Sequence, residues 1–123
     1  MDDDENTRFV LRLILEHVGH EVVEAPHGEA ALRLIKPDLL PDVITTDLKM
    51  PKLSGEEFIQ RLRSEPRTAS IPIVVVSGNH DEAGFLKAAG VVEAVVYKPF
   101  NAAAVAECIR AITHNASKPS VTV

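Results

Sequence analysis

The chain has 123 residues, the size of one domain, with room for a single core and too little for a core plus an effector domain. Its 13 basic and 18 acidic residues leave a net charge of −5 and no basic run, which excludes direct reading of nucleic acid. A single cysteine, Cys108, excludes an internal disulfide and suits core packing, and neither an 18-residue apolar stretch nor a secretory leader is visible, so a cytoplasmic protein with no membrane contact is expected.

From the N-terminus, Asp2-Asp3-Asp4 precedes a helical pattern in which Val10, Leu11, Ile14, Leu15 and Val18 recur on one face. Gly19 supplies a stop, which predicts a helix over 5–18. His20-Glu21-Val22-Val23-Glu24-Ala25 reads as a short strand. Residues 27–35 return to helical spacing through Ala31, Leu34 and Ile35 before Pro37 and Pro41 break the chain. A strand over 42–47 closes on Asp47 and is followed by Leu48-Lys49-Met50-Pro51. Gly55 to Ser64 carries Phe58, Ile59 and Leu62 on one helical face, and Pro66 ends that helix before the most apolar strand, 71–77, which closes on Ser77. Helix 81–89 stops at Gly90, and strand 93–97 leads into Lys98-Pro99-Phe100. Val105, Cys108, Ile109 and Ile112 then give helix 101–113 an i, i+3, i+4, i+7 stripe. Residues 1–113 are expected to form the domain, and residues 114–123 a flexible tail.

Strands that alternate with helices and read as nearly continuous apolar runs predict an α/β fold, a parallel sheet covered on both faces. In such a sheet ligands bind outside the carboxyl ends of the strands, where Asp47, Ser77 and Lys98 would converge with Asp2-Asp3-Asp4. Taken singly, each has a plainer reading. The acidic run is a solvated segment favoured by the following helix dipole, Ser77 caps a loop, and Lys98 is a surface lysine. The histidines His17, His20, His27, His80 and His114 lack ligand spacing and read as surface or edge residues, so no zinc site is expected. Asn115-Ala116-Ser117 matches a glycosylation acceptor too short to carry weight.

Together these residues resemble the receiver domain of two-component response regulators, from Asp2 to about residue 113. The intervals carry the resemblance: Asp3 to Asp47 is 44 residues, Asp47 to Ser77 is 30, and Ser77 to Lys98 is 21. The resemblance implies a doubly wound, flavodoxin-like fold with strand order 2-1-3-4-5. It makes Asp47 the phosphoacceptor, a nucleophile that forms an acyl phosphate. Asp2 and Asp3 become the acidic metal-binding pair, Ser77 the switch hydroxyl, and Lys98 the lysine of a Lys-Pro motif, with Pro99 a place for a cis peptide. Mg²⁺ is the implied cofactor, held by Asp3, Asp47 and the Lys49 carbonyl directly and by Asp2 through water. Mg²⁺ and Lys98 would supply the positive charge that phosphoryl transfer requires. Movement of Ser77 would pull the 78–82 loop and alter an output face carrying Phe85, Val95 and Tyr97. The family usually places an aromatic residue three positions before the lysine. Here that position is Val95, and Tyr97 lies two residues on, on the same side of the strand.

The implied function is phosphorelay signalling, with a histidine kinase or histidine phosphotransfer protein as donor and a downstream protein target. The first alternative is a pseudo-receiver, a phosphorylation-independent interaction module of the same fold. A small metal-dependent phosphatase is a weaker one, because no second general acid near Asp47 is evident. One departure stands out: a receiver has an apolar strand before its acidic pair, and here only Met1 precedes Asp2. Three arrangements are open, in this order: a chain start inside the natural domain with the slot open, a strand borrowed from another copy, or a return of Ser120-Val121-Thr122-Val123 from the end of helix 101–113.

Overall fold

The structure is a computed structural model that describes residues 4–35, 40–48, 54–113 and 121–122. Helices α1 (Glu5–His17), α2 (Gly28–Leu34), α3 (Gly55–Ser64), α4 (His80–Ala88) and α5 (Ala102–Thr113) alternate with strands β1 (Glu21–Val22), β2 (Ile44–Thr46), β3 (Ile73–Ser77) and β4 (Ala94–Tyr97), and β5 (Val121–Thr122) follows. Every element expected from the sequence is present, with ends displaced by at most three residues. Four helices begin on a polar residue whose side chain accepts an amide of the first turn: Asp4 from Asn6, His27 from Ala30, Ser54 from Glu57 and Asn79 from Glu82. Asn101 does the same for Ala103 and Ala104 at α5. These contacts satisfy amides that the helix itself leaves without partners. Gly19 and Gly90 stop α1 and α4 at φ of 95° and 75°, a region costly for residues with a Cβ. The next amides, His20 N and Val91 N, reach back to Leu15 O and Leu86 O.

All pairings are parallel, in the orders β1-β5 and β2-β3-β4. Side chains alternate across β2, β3 and β4, so the strands feed two cores. Ile44, Ile73, Val75 and Val95 join Phe58, Ile59 and Leu62 of α3 and Ala83 and Leu86 of α4. Val43, Val74, Val76 and Val96 join Leu11 and Leu15 of α1 and Val105 and Ile109 of α5. Cys108 packs against this second core, and burial pushes its thiol pKa up. Burial of all five β3 residues marks it as the central strand of the three. Among the described residues no helix is long and apolar enough to cross a membrane.

Two expectations need correction. The segment from residue 114 onward was expected to be flexible, yet Val121 and Thr122 pair with Glu21 and Val22 in a parallel ladder. The pairing that the third arrangement requires on the β1 side is therefore made, while among the described residues β5 has no pairing with β2. In the order 2-1-3-4-5 the strand at 20–25 pairs with the first strand, and β5 takes that pairing. Helix α5 packs beside α1 and returns the chain to the starting end of the strands, so a strand resumed there runs parallel to its neighbours. Second, His20 is buried rather than at the surface, because the Gly19 turn folds it back over the end of α1.

At the starting end of the sheet, Arg63 of α3 ties three segments together. Its guanidinium donates to Ala69 O (2.8 Å), Ile71 O (2.7 Å), Val91 O (3.0 Å) and Glu93 Oε1 (2.9 Å). Glu93 Oε1 also accepts Ile73 N at 2.7 Å, so the entrances to β3 and β4 are held to one cation.

Removing residues 121–123 is expected to lower stability by about 1–2 kcal/mol, the worth of one or two backbone hydrogen bonds. A urea titration of the full and shortened chains reads this directly, and an unchanged midpoint would show that β5 contributes nothing.

Candidate functional site

Parallel pairing puts the carboxyl ends of β2, β3 and β4 at one edge, with Thr46 opposite Val75 and Ser77 opposite Tyr97. Asp47 follows β2, Ser77 closes β3 and Lys98 follows β4, so three residues remote in sequence meet. Lys98 Nζ donates to Asp47 Oδ2 at 2.9 Å, with the lysine side chain 26% and the aspartate 13% exposed. Asp47 Oδ1 accepts Leu48 N at 2.7 Å. Both carboxylate oxygens are thereby oriented, and a carboxylate retains acceptor capacity beyond two bonds. Lys98 N donates to Ser77 O at 2.9 Å, which joins the end of β4 to the end of β3. The Lys98–Pro99 peptide is cis, as its Lys-Pro context allowed.

A cavity lined by Asp47, Ser77, Gly78 and Asn79 opens beside the carboxylate. The Ser77 side chain is buried, and its Oγ accepts Asn79 N at 3.0 Å. Across the site, Gly55 N donates to Leu48 O at 2.9 Å, and a Cβ at Gly55 would overlap the Asp47 carbonyl and lie 2.8 Å from Leu48 Cα. Only glycine fits at the start of α3 while β2 ends where it does.

Asp2, Asp3 and Lys49 lie outside the described residues, and among the described residues no group of three or more His, Cys, Asp or Glu side chains is placed to hold a metal. The neighbouring Asp4 is described. Hydrogen bonds from Thr7 and Asn6 hold its carboxyl below the usual carboxylate range, and the charge of Lys98 contributes in the same direction. Hard oxygens on Asp47, with spare acceptor capacity, fit a divalent cation such as Mg²⁺.

Val95 packs into the core shared with α4, whereas Tyr97 is 39% exposed and its ring meets that of His80 with centroids 4.3 Å apart. Phe85, on α4, is 71% exposed. Sequence reasoning missed three contributors: the close approach of Gly55, the ring contact of His80, and the pairing of Asn79 with Glu82. Only the last had a local signal, because Asn79-His80-Asp81-Glu82 is a capping-box pattern.

Residues 1–110 match the response regulator receiver domain family. The chain belongs to that family. The receiver is 33% identical over 103 residues to a chemotaxis protein CheY homolog of Campylobacter jejuni, covering 81% of this chain and 78% of that one. It is 34% identical to the transcriptional regulatory protein AfsQ1 of Streptomyces coelicolor over 67% of this chain and 35% of AfsQ1. Among solved structures, a response regulator receiver protein of Pseudomonas putida superposes with a TM-score of 0.75 at 29% identity, covering 89% of this chain and 91% of that one. Matches to three curated relatives span 58%, 35% and 45% of their length. The fold is the flavodoxin-like receiver fold, and the family's role is phosphorelay signalling.

Gly55→Ala is expected to displace the Asp47–Leu48 backbone and lower stability by about 1–3 kcal/mol, the usual scale for overpacking. A crystal structure of the variant with β2 and Asp47 unmoved would contradict this.

Proposed function

We propose that Asp47 accepts a phosphoryl group from a phosphohistidine on a kinase or phosphotransfer protein. A P–O bond forms on the Asp47 carboxylate as the donor's P–N bond breaks, its electron pair returning to the imidazole. The observation that carries this reading is the contact of Lys98 Nζ with Asp47 Oδ2 at 2.9 Å beside a cavity that Ser77 also lines. The half-buried ammonium stands where charge gathers on the transferring group, and in a site with little water such a charge acts strongly. Asp3, Asp47 and the Lys49 carbonyl would hold Mg²⁺ directly and Asp2 through water; when bound, the ion supplies further positive charge to the phosphoryl oxygens.

The Ser77 hydroxyl then turns toward the phosphoryl group and alters the β3–α4 loop. Because α4 begins three residues after Ser77, the partner of Asn79, and His80 touches Tyr97, the change reaches the α4–β4 face that carries Phe85, Val95 and Tyr97. A downstream protein reads that face. The phosphorylation-independent pseudo-receiver is not favoured, since family membership and the meeting of Asp47, Ser77 and Lys98 speak for an acceptor site.

Asp47→Asn is expected to abolish Mg²⁺-dependent phosphoryl uptake from acetyl phosphate or a phosphohistidine donor while leaving the circular dichroism spectrum unchanged. Intact-mass measurement settles it, and stoichiometric labelling of the variant would place the acceptor elsewhere. Lys98→Ala is expected to retain Mg²⁺ binding but lose phosphorylation-dependent binding of the downstream partner. A partner affinity that still rises fully on phosphorylation would exclude that role for Lys98.

A further inference from the structure

The N-terminus of α4 carries a hydrogen-bond arrangement that the phosphoacceptor reading leaves unexplained. Asn79 is the N-cap and Glu82 the third residue of the helix, the positions of a capping box. In such a box the carboxylate at the third position accepts the backbone N–H of the capping residue. Here the Asn79 Oδ1 half is made, accepting Glu82 N at 3.1 Å. The reciprocal half is not: Asn79 N donates to Ser77 Oγ at 3.0 Å, and Glu82 Oε2 accepts the Asn79 side-chain Nδ2 at 3.1 Å instead. The Asn79 amide thus uses the switch hydroxyl, while the Glu82 carboxylate, the acceptor that a capping box assigns to this amide, holds the side chain of the same residue.

From this we infer that Glu82 is a positioning residue for the Ser77 switch, the alternative acceptor that takes the Asn79 N–H when the hydroxyl leaves it. The inference rests on the proposed phosphorylation of Asp47. A hydroxyl that turns away strands the amide it was serving, and an amide left without a partner at a partly buried position opposes the movement. A carboxylate has two oxygens and about four acceptor sites, so Glu82 can close the capping box without releasing the helix. The two arrangements, Asn79 N to Ser77 Oγ and Asn79 N to Glu82, form a two-state element at the junction of site and output face. The exchange keeps α4 capped in both states and changes only where its first turn is anchored: to the end of β3 in one, to itself in the other.

The test follows the Asn79 amide by NMR in the full chain, with and without Mg²⁺ and acetyl phosphate, alongside intact-mass measurement of phosphoryl uptake. Wild-type protein is expected to take up one phosphoryl group and move its Asn79 amide resonance. Ser77→Ala should show that moved resonance without any phosphoryl donor, because the amide has lost its first acceptor. Glu82→Ala should take up the phosphoryl group to the same stoichiometry yet lose at least about tenfold in the population with the moved resonance, and Glu82→Gln, which keeps an acceptor oxygen, should restore it. A purely structural cap would instead perturb α4 equally with and without phosphoryl and would not depend on the acceptor oxygen. Uptake by wild type with an unmoved Asn79 amide, or a Glu82→Ala response equal to wild type, overturns the exchange while leaving Asp47 as acceptor. Absence of uptake by wild type would overturn both.

Discussion

Parallel pairing of β2, β3 and β4 in one register is the constraint on which the rest of this receiver depends. It buries the middle of the sheet between two helical layers, and it obliges three strands to release their chains at the same edge. Backbone groups and side chains there are no longer committed to the ladder, so that edge is where chemistry can be assembled. The Lys98–Asp47 pair follows from this geometry across 51 residues of sequence. In isolation a half-buried ion pair contributes modestly to stability, since desolvation offsets much of the attraction. Its effect is to place a cation against the Asp47 carboxylate.

The two ends of the sheet are built differently. At the starting end, Arg63 satisfies four oxygen acceptors and Glu93 joins it to β3, a closed network of charged hydrogen bonds with a single arrangement. The carboxyl end is held by a different set of contacts. Ser77 Oγ holds one amide, Asn79 divides its groups between Ser77 and Glu82, and Tyr97 rests against His80 at the surface.

Strand β5 shows how backbone demand can recruit a segment with no other claim to structure. Val22 faces the core shared by α1 and α5, and the edge of β1 needs a partner. Val121 and Thr122 supply it because α5 has already returned the chain to the right end of the sheet.

Much of this was legible in the chain itself. The helical stripes, the apolar strands, the stops at Gly19 and Gly90, and Asp47, Ser77 and Lys98 at strand ends all follow from chemistry acting over a few residues, where periodicity and side-chain type decide the outcome. The capping box at Asn79 and Glu82 was equally local, though its departure from the usual pattern was not. What only the tertiary structure decided were relations between distant segments: that β5 pairs with β1, that Gly55 presses on Asp47, that His20 is buried, that Tyr97 meets His80, and that Asn79 N turns to Ser77 rather than to Glu82. Such choices are made by competition among acceptors and surfaces that become neighbours only after folding, and no local pattern encodes the winner.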